Sequence, residues 1–200
     1  MGRALAKPIM FHHQARPRWV SLPLYPSYRL IAADADEAYP RAMVVSAPDL
    51  KAFLLATPFF GGLPDPSLDL LSSMLVECRF DAGATVVAEG EPGRSMFVVK
   101  AGRLAVSKRA SSGSVIPISV LEPGDLFGEM TLIEMQNRSA TVAAESLAVL
   151  YELTAQNLYA CYKADIHAYV IVLQNINREL CRRLRRSDDR FTGHQVDDDN

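Results

Sequence analysis

Between residues 48 and 75 apolar positions recur at intervals of three and four: Leu50, Phe53 and Leu54, then Phe59 and Phe60, then Leu68, Leu71, Met74 and Leu75. That spacing gathers them on one side of a helix. Asp49 is placed to cap a first helical stretch beginning at Pro48. Pro66-Ser67-Leu68 opens a second, since the N–H that proline lacks has no helical partner in a first turn anyway. From Phe80 to Leu153 the pattern changes to short β-forming runs, predicting strands at Ala84–Ala88, Ser95–Lys100, Arg103–Lys108, Val115–Leu121, Ser139–Ala144 and Leu147–Leu153. Glycines at 83, 90, 93, 102, 113 and 124 separate these runs, and each is read as a turn needing a permissive φ. After Leu153 the helical period returns. Thr154 is placed to cap a helix over Ala155–Lys163, and Asp165 a long one reaching roughly Arg190.

Many short strands with regular turns, and no helix of about 10–15 residues between them, argue against a parallel α/β sheet. The expected class is α+β: mainly a β jelly-roll (β-roll) with short flanking N-terminal helices and a long C-terminal helix. The expected organisation is a poorly ordered, basic, proline-containing extension at 1–46, a domain at 47–190 and an acidic tail at 191–200. Within the domain, N-terminal helices take 47–79, the roll 80–153 and C-terminal helices 154–190.

Up to Ala33 the extension carries Arg3, Lys7, Arg16, Arg18 and Arg29 and no acid, yet no amphipathic helix with arginine spacing. A tail is therefore favoured over a targeting segment. Met43 offers an alternative start. His12-His13 has no further ligands beside it, and Trp19 is assigned no role.

On the long helix Ile166, Val170, Leu173, Asn177, Leu180 and Leu184 alternate at four and three, the spacing of a two-stranded seam with an asparagine to fix register. A homodimer through this helix is expected; the competing reading packs the same face on the chain's own roll. Cys181-Arg182-Arg183-Leu184-Arg185-Arg186 reads as a solvated basic face that suits the C-terminal half of a helix dipole, ahead of nucleic-acid binding.

Composition narrows the choices. Two hundred residues, 49% hydrophobic, suit one domain with appendages. A net charge of -2 gives no electrostatic case for nucleic acid or membrane as the main partner. Three scattered cysteines (Cys78, Cys161, Cys181) read as reduced thiols, the latter two as packing residues. No apolar run is long enough to span a bilayer and no secretory signal is evident, so a cytoplasmic location is expected.

The candidate chemistry lies in residues 128–142, GEMTLIEMQNRSATV. Gly128 frees the backbone, and the N–H groups starting a short helix at Glu129–Ile133 attract an anion. Glu129 would repel one, unless the ligand shows an anionic group and a hydroxyl on neighbouring atoms. Arg138 then grips the anion with its planar fork, while Glu129 accepts from the hydroxyl. A ribose carrying a cyclic phosphate has that arrangement. The competing reading makes Glu129 and Arg138 a structural ion pair, which at a surface is worth only about 0–1 kcal/mol.

The glycine pattern of FDAGATVVAEGEPGRSMFVVKAGRLAV and the segment PGDLFGEMTLIEMQNRSATV resemble the cyclic nucleotide-binding domain family, which includes bacterial catabolite activators and regulatory subunits of cyclic AMP-dependent kinase. The resemblance implies that Glu129 binds the ribose 2′-hydroxyl and Arg138 the exocyclic phosphate oxygens. The Gly128, Glu129, Met130 and Thr131 backbone assists, and Ser139 adds a hydroxyl contact. It further implies apolar walls for the base at Val106, Ile118 and Leu121, with Ser187-Asp188 reaching the adenine from the long helix. Met135-Gln136-Asn137 departs from the Gly or Pro that often precedes the arginine, and Asn137 is expected to accommodate the turn. Only ten residues follow Arg190, leaving no room for the helix-turn-helix of a transcription factor, so no DNA-binding domain is expected.

The resulting expectation is a non-enzymatic receptor for a cyclic mononucleotide, cyclic AMP first and cyclic GMP second. It has no cofactor or metal and signals to an unidentified downstream protein through its C-terminal helices. The alternative is a ligand-free dimeric scaffold. A metal-dependent cupin roll is disfavoured because histidines 12, 13, 167 and 194 all lie outside the strands, and haem or iron–sulfur sensing because Cys78 stands alone at the roll's entrance.

Overall fold

The computed structural model describes residues 47–195, with side chains over 50–189. The readings made for residues 1–46, including His12-His13 and Trp19, and for the end of the acidic tail lie outside the described residues. The elements run α1 (Ala47–Ala56), a single 3-10 turn at Pro58–Phe60, α2 (Asp65–Met74), β1 (Val76–Phe80), β2 (Thr85–Val87), β3 (Ser95–Ala101), β4 (Leu104–Arg109), β5 (Val115–Leu121), β6 (Leu126–Phe127), α3 (Glu129–Glu134), β7 (Thr141–Ala144), β8 (Ala148–Thr154), α4 (Ala155–Ala164) and α5 (Ile166–Gln195).

The strands form two antiparallel four-stranded sheets, ordered β1-β8-β3-β6 and β2-β7-β4-β5. Strand β3, SMFVVKA, is nearly continuous in apolar residues because both its faces are covered. Phe97 and Val99 point between the sheets, with Leu104, Val142 and Leu150. Met96 and Val98 point the other way, onto a helical layer built from Leu54, Leu68, Leu71, Cys161, Val172 and Ile176. Each large side chain so enclosed contributes about 1.5–3 kcal/mol of hydrophobic stabilisation. Strand β5 lies at the edge of the second sheet and is exposed at every position but Leu121, which is where Pro117 can be tolerated.

The α+β roll with its long last helix is as the sequence predicts, but several local readings change. The roll starts at Val76, since β1 pairs with β8 along its whole length, Val76 opposite Glu152 through Phe80 opposite Ala148. Glu77 and Arg79 obscured the alternation of Val76, Cys78 and Phe80. Glu77 is nonetheless buried, accepting from Arg79 Nη2 at 2.9 Å and Lys100 Nζ at 3.0 Å. Asp49 sits inside α1 instead of capping it. Thr154 and Asp165 do cap: Thr154 Oγ1 accepts from the Asn157 N–H at 3.1 Å, and Asp165 Oδ1 from those of His167 and Ala168, each at 3.0 Å. Asp165 also accepts from Ser67 Oγ at 2.5 Å, which joins α2 to the start of α5.

Helix α5 presents two faces. Ala168, Val172, Asn175 and Ile176 are buried against the domain. On the predicted seam, Ile166, Val170, Asn177 and Leu184 are exposed, while Leu173 and Leu180 are half-buried and pack against the core, so the seam is given to the domain only in part. Cys181 is exposed and does not pack. Burial, with help from the neighbouring Glu152 carboxylate, pushes the Cys78 thiol up to about 12, which keeps it protonated and unreactive. Among the described residues no helix is long and apolar enough to cross a membrane, and no group of three or more His, Cys, Asp or Glu is placed to hold a metal ion.

Candidate functional site

Strand β6 is only two residues long and delivers the chain to Gly128, whose φ of 79° turns it directly into α3. A side chain at 128 is excluded twice, by that φ and because a Cβ would stand 2.5 Å from Arg138 Nη1 and 2.9 Å from the Ser95 carbonyl oxygen. Thr131 donates its hydroxyl to the Gly128 carbonyl at 2.8 Å, closing the first turn of α3. The helix ends at Met135, which takes a left-handed φ of 55°; the turn is thus carried by a methionine, not by Asn137.

Arg138 is 5% exposed and its guanidinium points inward. Nη1 donates to the Ser95 carbonyl at 2.7 Å and more weakly toward Thr131 Oγ1 and the Gly128 carbonyl, at 3.3 and 3.4 Å. Nη2 donates to Ser95 Oγ at 3.2 Å, and the group lies 5.8 Å from the centre of the Phe97 ring. Backbone bonds brace the arginine from the other side, Arg138 N–H to the Glu91 carbonyl at 2.8 Å and Gly90 N–H to the Arg138 carbonyl at 2.9 Å. Gly93 belongs to the same packing. Its φ is not positive, so it is not the permissive turn predicted. It is glycine for space, since a Cβ would come within 2.6 Å of Thr131 Cγ2 and 2.8 Å of Arg138 Nε.

Glu129 is 2% exposed, at the first position of α3. Its Oε1 accepts from Arg183 Nη1 on α5 at 3.1 Å. Its Oε2 is buried without a hydrogen-bond partner. Burial, with a smaller push from the Glu179 carboxylate, raises this carboxyl above the ordinary carboxylate range, opposed chiefly by the positive charge of Arg183, then by its own backbone N–H and least by Arg138. The structural ion-pair reading therefore finds its partner 54 residues away in Arg183. Arg183 also donates through Nη2 to the Leu126 carbonyl and through Nε to Glu179 Oε1 at 3.2 Å, bridging α5 to β6 and α3.

The structure thus brings Gly128, Glu129, Thr131 and Arg138 together, with Ser95, Gly93 and Arg183 as members the sequence reading missed. Ser139 is exposed and its hydroxyl lies 3.8 Å from Met130 Sδ, itself exposed. Val106 is half-buried and Ile118 48% exposed, both lining a groove of about 300 Å³ on β4 and β5. Leu121 is packed in the core between the sheets instead. Ser187 and Asp188 are exposed on α5, with Ser187 one turn beyond Arg183 on the same helix side.

Residues 77–165 match the model of the cyclic nucleotide-binding domain. The CRP-like cAMP-activated global transcriptional regulator of Mycobacterium tuberculosis is 30% identical over 140 residues, which are 69% of this chain and 60% of that protein. The chain spans about three fifths of the length of such curated relatives. Among solved structures, the Thermus thermophilus catabolite activator protein superposes with a TM-score of 0.61 at 27% identity, over 70% of this chain and 63% of that one. A cyclic nucleotide-binding domain from Methylobacillus flagellatus shares the fold at a TM-score of 0.67 and 22% identity, over 74% and 83%. By this match across the roll, and by the same fold in solved relatives, residues 77–165 form a domain of the cyclic nucleotide-binding family.

Proposed function

We propose that this chain is a cyclic nucleotide receptor, with cyclic AMP as first ligand and cyclic GMP second, that acts on a separate protein by repositioning its C-terminal helices. The observation that carries the reading is Glu129 Oε2, a buried acceptor with no hydrogen-bond partner, set on the helix start that follows Gly128. A buried acceptor left unmatched costs about 1–3 kcal/mol. A ribose hydroxyl donating to it removes that cost while the cyclic phosphate meets the α3 N–H groups and Arg138. Because Arg138 is engaged by Ser95 and Gly128, the phosphate must draw the 128–138 segment toward itself. Arg183 then carries that displacement to α5. The exposed seam of Ile166, Val170 and Leu184 is proposed to pair two copies of α5. The names of the relatives, cyclic AMP receptors among them, support the ligand class.

A ligand-free dimeric scaffold is the second reading, favoured by the inward contacts that already occupy Arg138. A thermal-shift screen with cyclic AMP, cyclic GMP and a cyclic dinucleotide separates the two. A ligand at 100 times its Kd stabilises the fold by about 2.7 kcal/mol, a clear rise in Tm. No shift with any of the three at millimolar concentration overturns the receptor reading.

A further inference from the structure

Away from residues 128–142, the candidate phosphate-binding cassette, a cleft of about 470 Å³ opens between α5, the turn after α1 and the 123–126 segment. Its α5 wall carries Arg178, Arg182 and Arg186, which the sequence reading left partly inside a solvated basic face. Four-residue spacing puts the three on one side of the helix, about 6 Å apart along the axis. The opposite wall is Pro58, Phe59, Gly61 and Gly62, with Pro123 and Gly124 across from it.

The cleft is held in shape by Asn175, which is buried. Its Nδ2 donates to the carbonyls of Phe59 at 2.6 Å and Gly61 at 3.1 Å, and its Oδ1 accepts from Arg178 Nη1 at 2.6 Å. Arg178 is thereby fixed by a neutral partner and keeps its charge uncompensated. Among the described residues no carboxylate comes within 4 Å of Arg178 or Arg186. Two acids do line the cleft. Glu179 is paired with Arg182 and Arg183, whereas Asp125, whose Oδ2 accepts from the Glu122 N–H at 2.9 Å, keeps its charge, so three arginines against two acids leave the cleft with one positive charge in excess.

We infer that this cleft is a docking site for an extended acidic peptide of a partner protein, with carboxylates at alternate positions. In an extended strand alternate side chains share a face at about 6.6 Å intervals, so the outer two of three such carboxylates, about 13 Å apart, meet Arg178 and Arg186, about 12 Å apart along α5, while Arg182 stays with Glu179. Guanidinium forks receive carboxylates in pairs of charge-assisted bonds, and the side-chain-free glycines of the far walls let a peptide backbone approach. The inference extends the proposed function by naming a surface for the downstream protein. Leu126 lines the cleft and stands two residues before Gly128, so a displaced cassette alters the cleft as well.

The experiment is fluorescence anisotropy on the full chain without nucleotide, so that its outcome is independent of what the cassette binds. The probe is a labelled hexapeptide of alternating glutamate and serine, compared with a glutamine–serine analogue. Saturable binding of the acidic peptide is expected, weakened about tenfold or more by Arg178→Gln with Arg186→Gln and unaffected by Lys108→Gln with Arg109→Gln on β4. If the double variant melts early, Arg186→Gln alone is read, with a loss of about threefold. Absence of binding, binding of the glutamine analogue, or equal weakening by the β4 pair overturns the proposal. So does full displacement by stoichiometric inorganic phosphate, which would mark a small-anion site.

Discussion

Arg183 donates to Glu129 across 3.1 Å, and this contact ties the last helix to the first residue of the cassette helix. Glu129 is 2% exposed while the Arg183 side chain is about a third exposed, so the pair straddles the surface. Removing the arginine leaves a mostly buried carboxyl without its counter-charge. Arg183→Ala is expected to destabilise the fold by about 1–3 kcal/mol, below the range for a fully buried pair because water reaches the vacated side. Adding Glu129→Gln to it should restore most of that loss, since no charge then remains uncompensated. Urea denaturation of the two single variants and the double variant gives the coupling energy directly. Additive losses would show that the pair is not the strut described.

Arg138 is structural as well as a candidate phosphate ligand. Arg138→Ala leaves the buried Ser95 carbonyl and hydroxyl without their donor and should cost about 2–4 kcal/mol of stability. Nucleotide affinity should fall by a further ~3 kcal/mol or more, as a charge-assisted fork is lost. Arg138→Lys keeps the charge but not the fork, so it should retain more stability than affinity. Calorimetry on Arg138→Lys is the informative titration: undiminished affinity there would remove the phosphate role.

Acidification should move stability and affinity in opposite directions. The Glu129 carboxyl is raised by burial, against the pull of Arg183, so the folded chain takes up a proton at higher pH than the unfolded chain. The stability tied to this group is full below the ordinary value of 4.5 and is lost as pH rises through the raised value. A hydroxyl donates best to the ionised carboxylate, so nucleotide affinity falls as pH drops through the same window. Glu77 and Asp165 are displaced the other way. In Glu77 the bonds from Lys100 and Arg79 outweigh burial, and in Asp165 the bond from Ser67 leads. Their contributions are lost only at lower pH, which keeps the windows apart. Urea midpoints between about pH 4.5 and 7 for the wild type and Glu129→Gln test the assignment, the variant being expected to lose the slope.

The sequence showed most of the roll because its strands are bounded by turns that glycine must make, and because β3 and β8 are covered on both faces. It showed Gly128, Glu129 and Arg138 because a glycine, an acid and an arginine at that spacing suit one chemistry. Arg183 was not legible. One arginine within Arg182-Arg183-Leu184-Arg185-Arg186 is indistinguishable from its neighbours until the helix is placed on the roll. Strand β6 was missed since two residues carry no period. Alternation along β5 did not reveal that every residue but Leu121 lies exposed on an edge.

Gly93 was misread for a related reason. Pattern reports turns, and this glycine is required by a neighbour that arrives 38 and 45 residues later, Thr131 and Arg138. Gly93→Ala should destabilise by about 1–3 kcal/mol through overpacking, and should disturb Arg138 before the distant core. An alanine at Gly83 meets open space but an unfavourable φ of 84°. The two variants should therefore lose stability alike while only Gly93→Ala loses nucleotide affinity. Equal affinities would detach Gly93 from the site.

The seam of α5 allows a last test, because Ile166, Val170, Asn177 and Leu184 on it are exposed where the opposite face of the same helix is buried. Val170→Glu with Leu184→Glu changes residues that are 44% and 62% exposed, so the single chain should fold and melt as before. If two copies pair through α5, light scattering should give twice the chain mass for the wild type and the single mass for this variant. A carboxylate facing its own copy across an apolar seam is both desolvated and repelled. Strand β5 is the rival surface, an edge strand carrying exposed Val115, Ile116, Ile118 and Val120. A dimer that survives the α5 changes but is broken by Ile116→Lys would transfer the interface to that edge, since lysine on an edge strand blocks pairing without touching the helix.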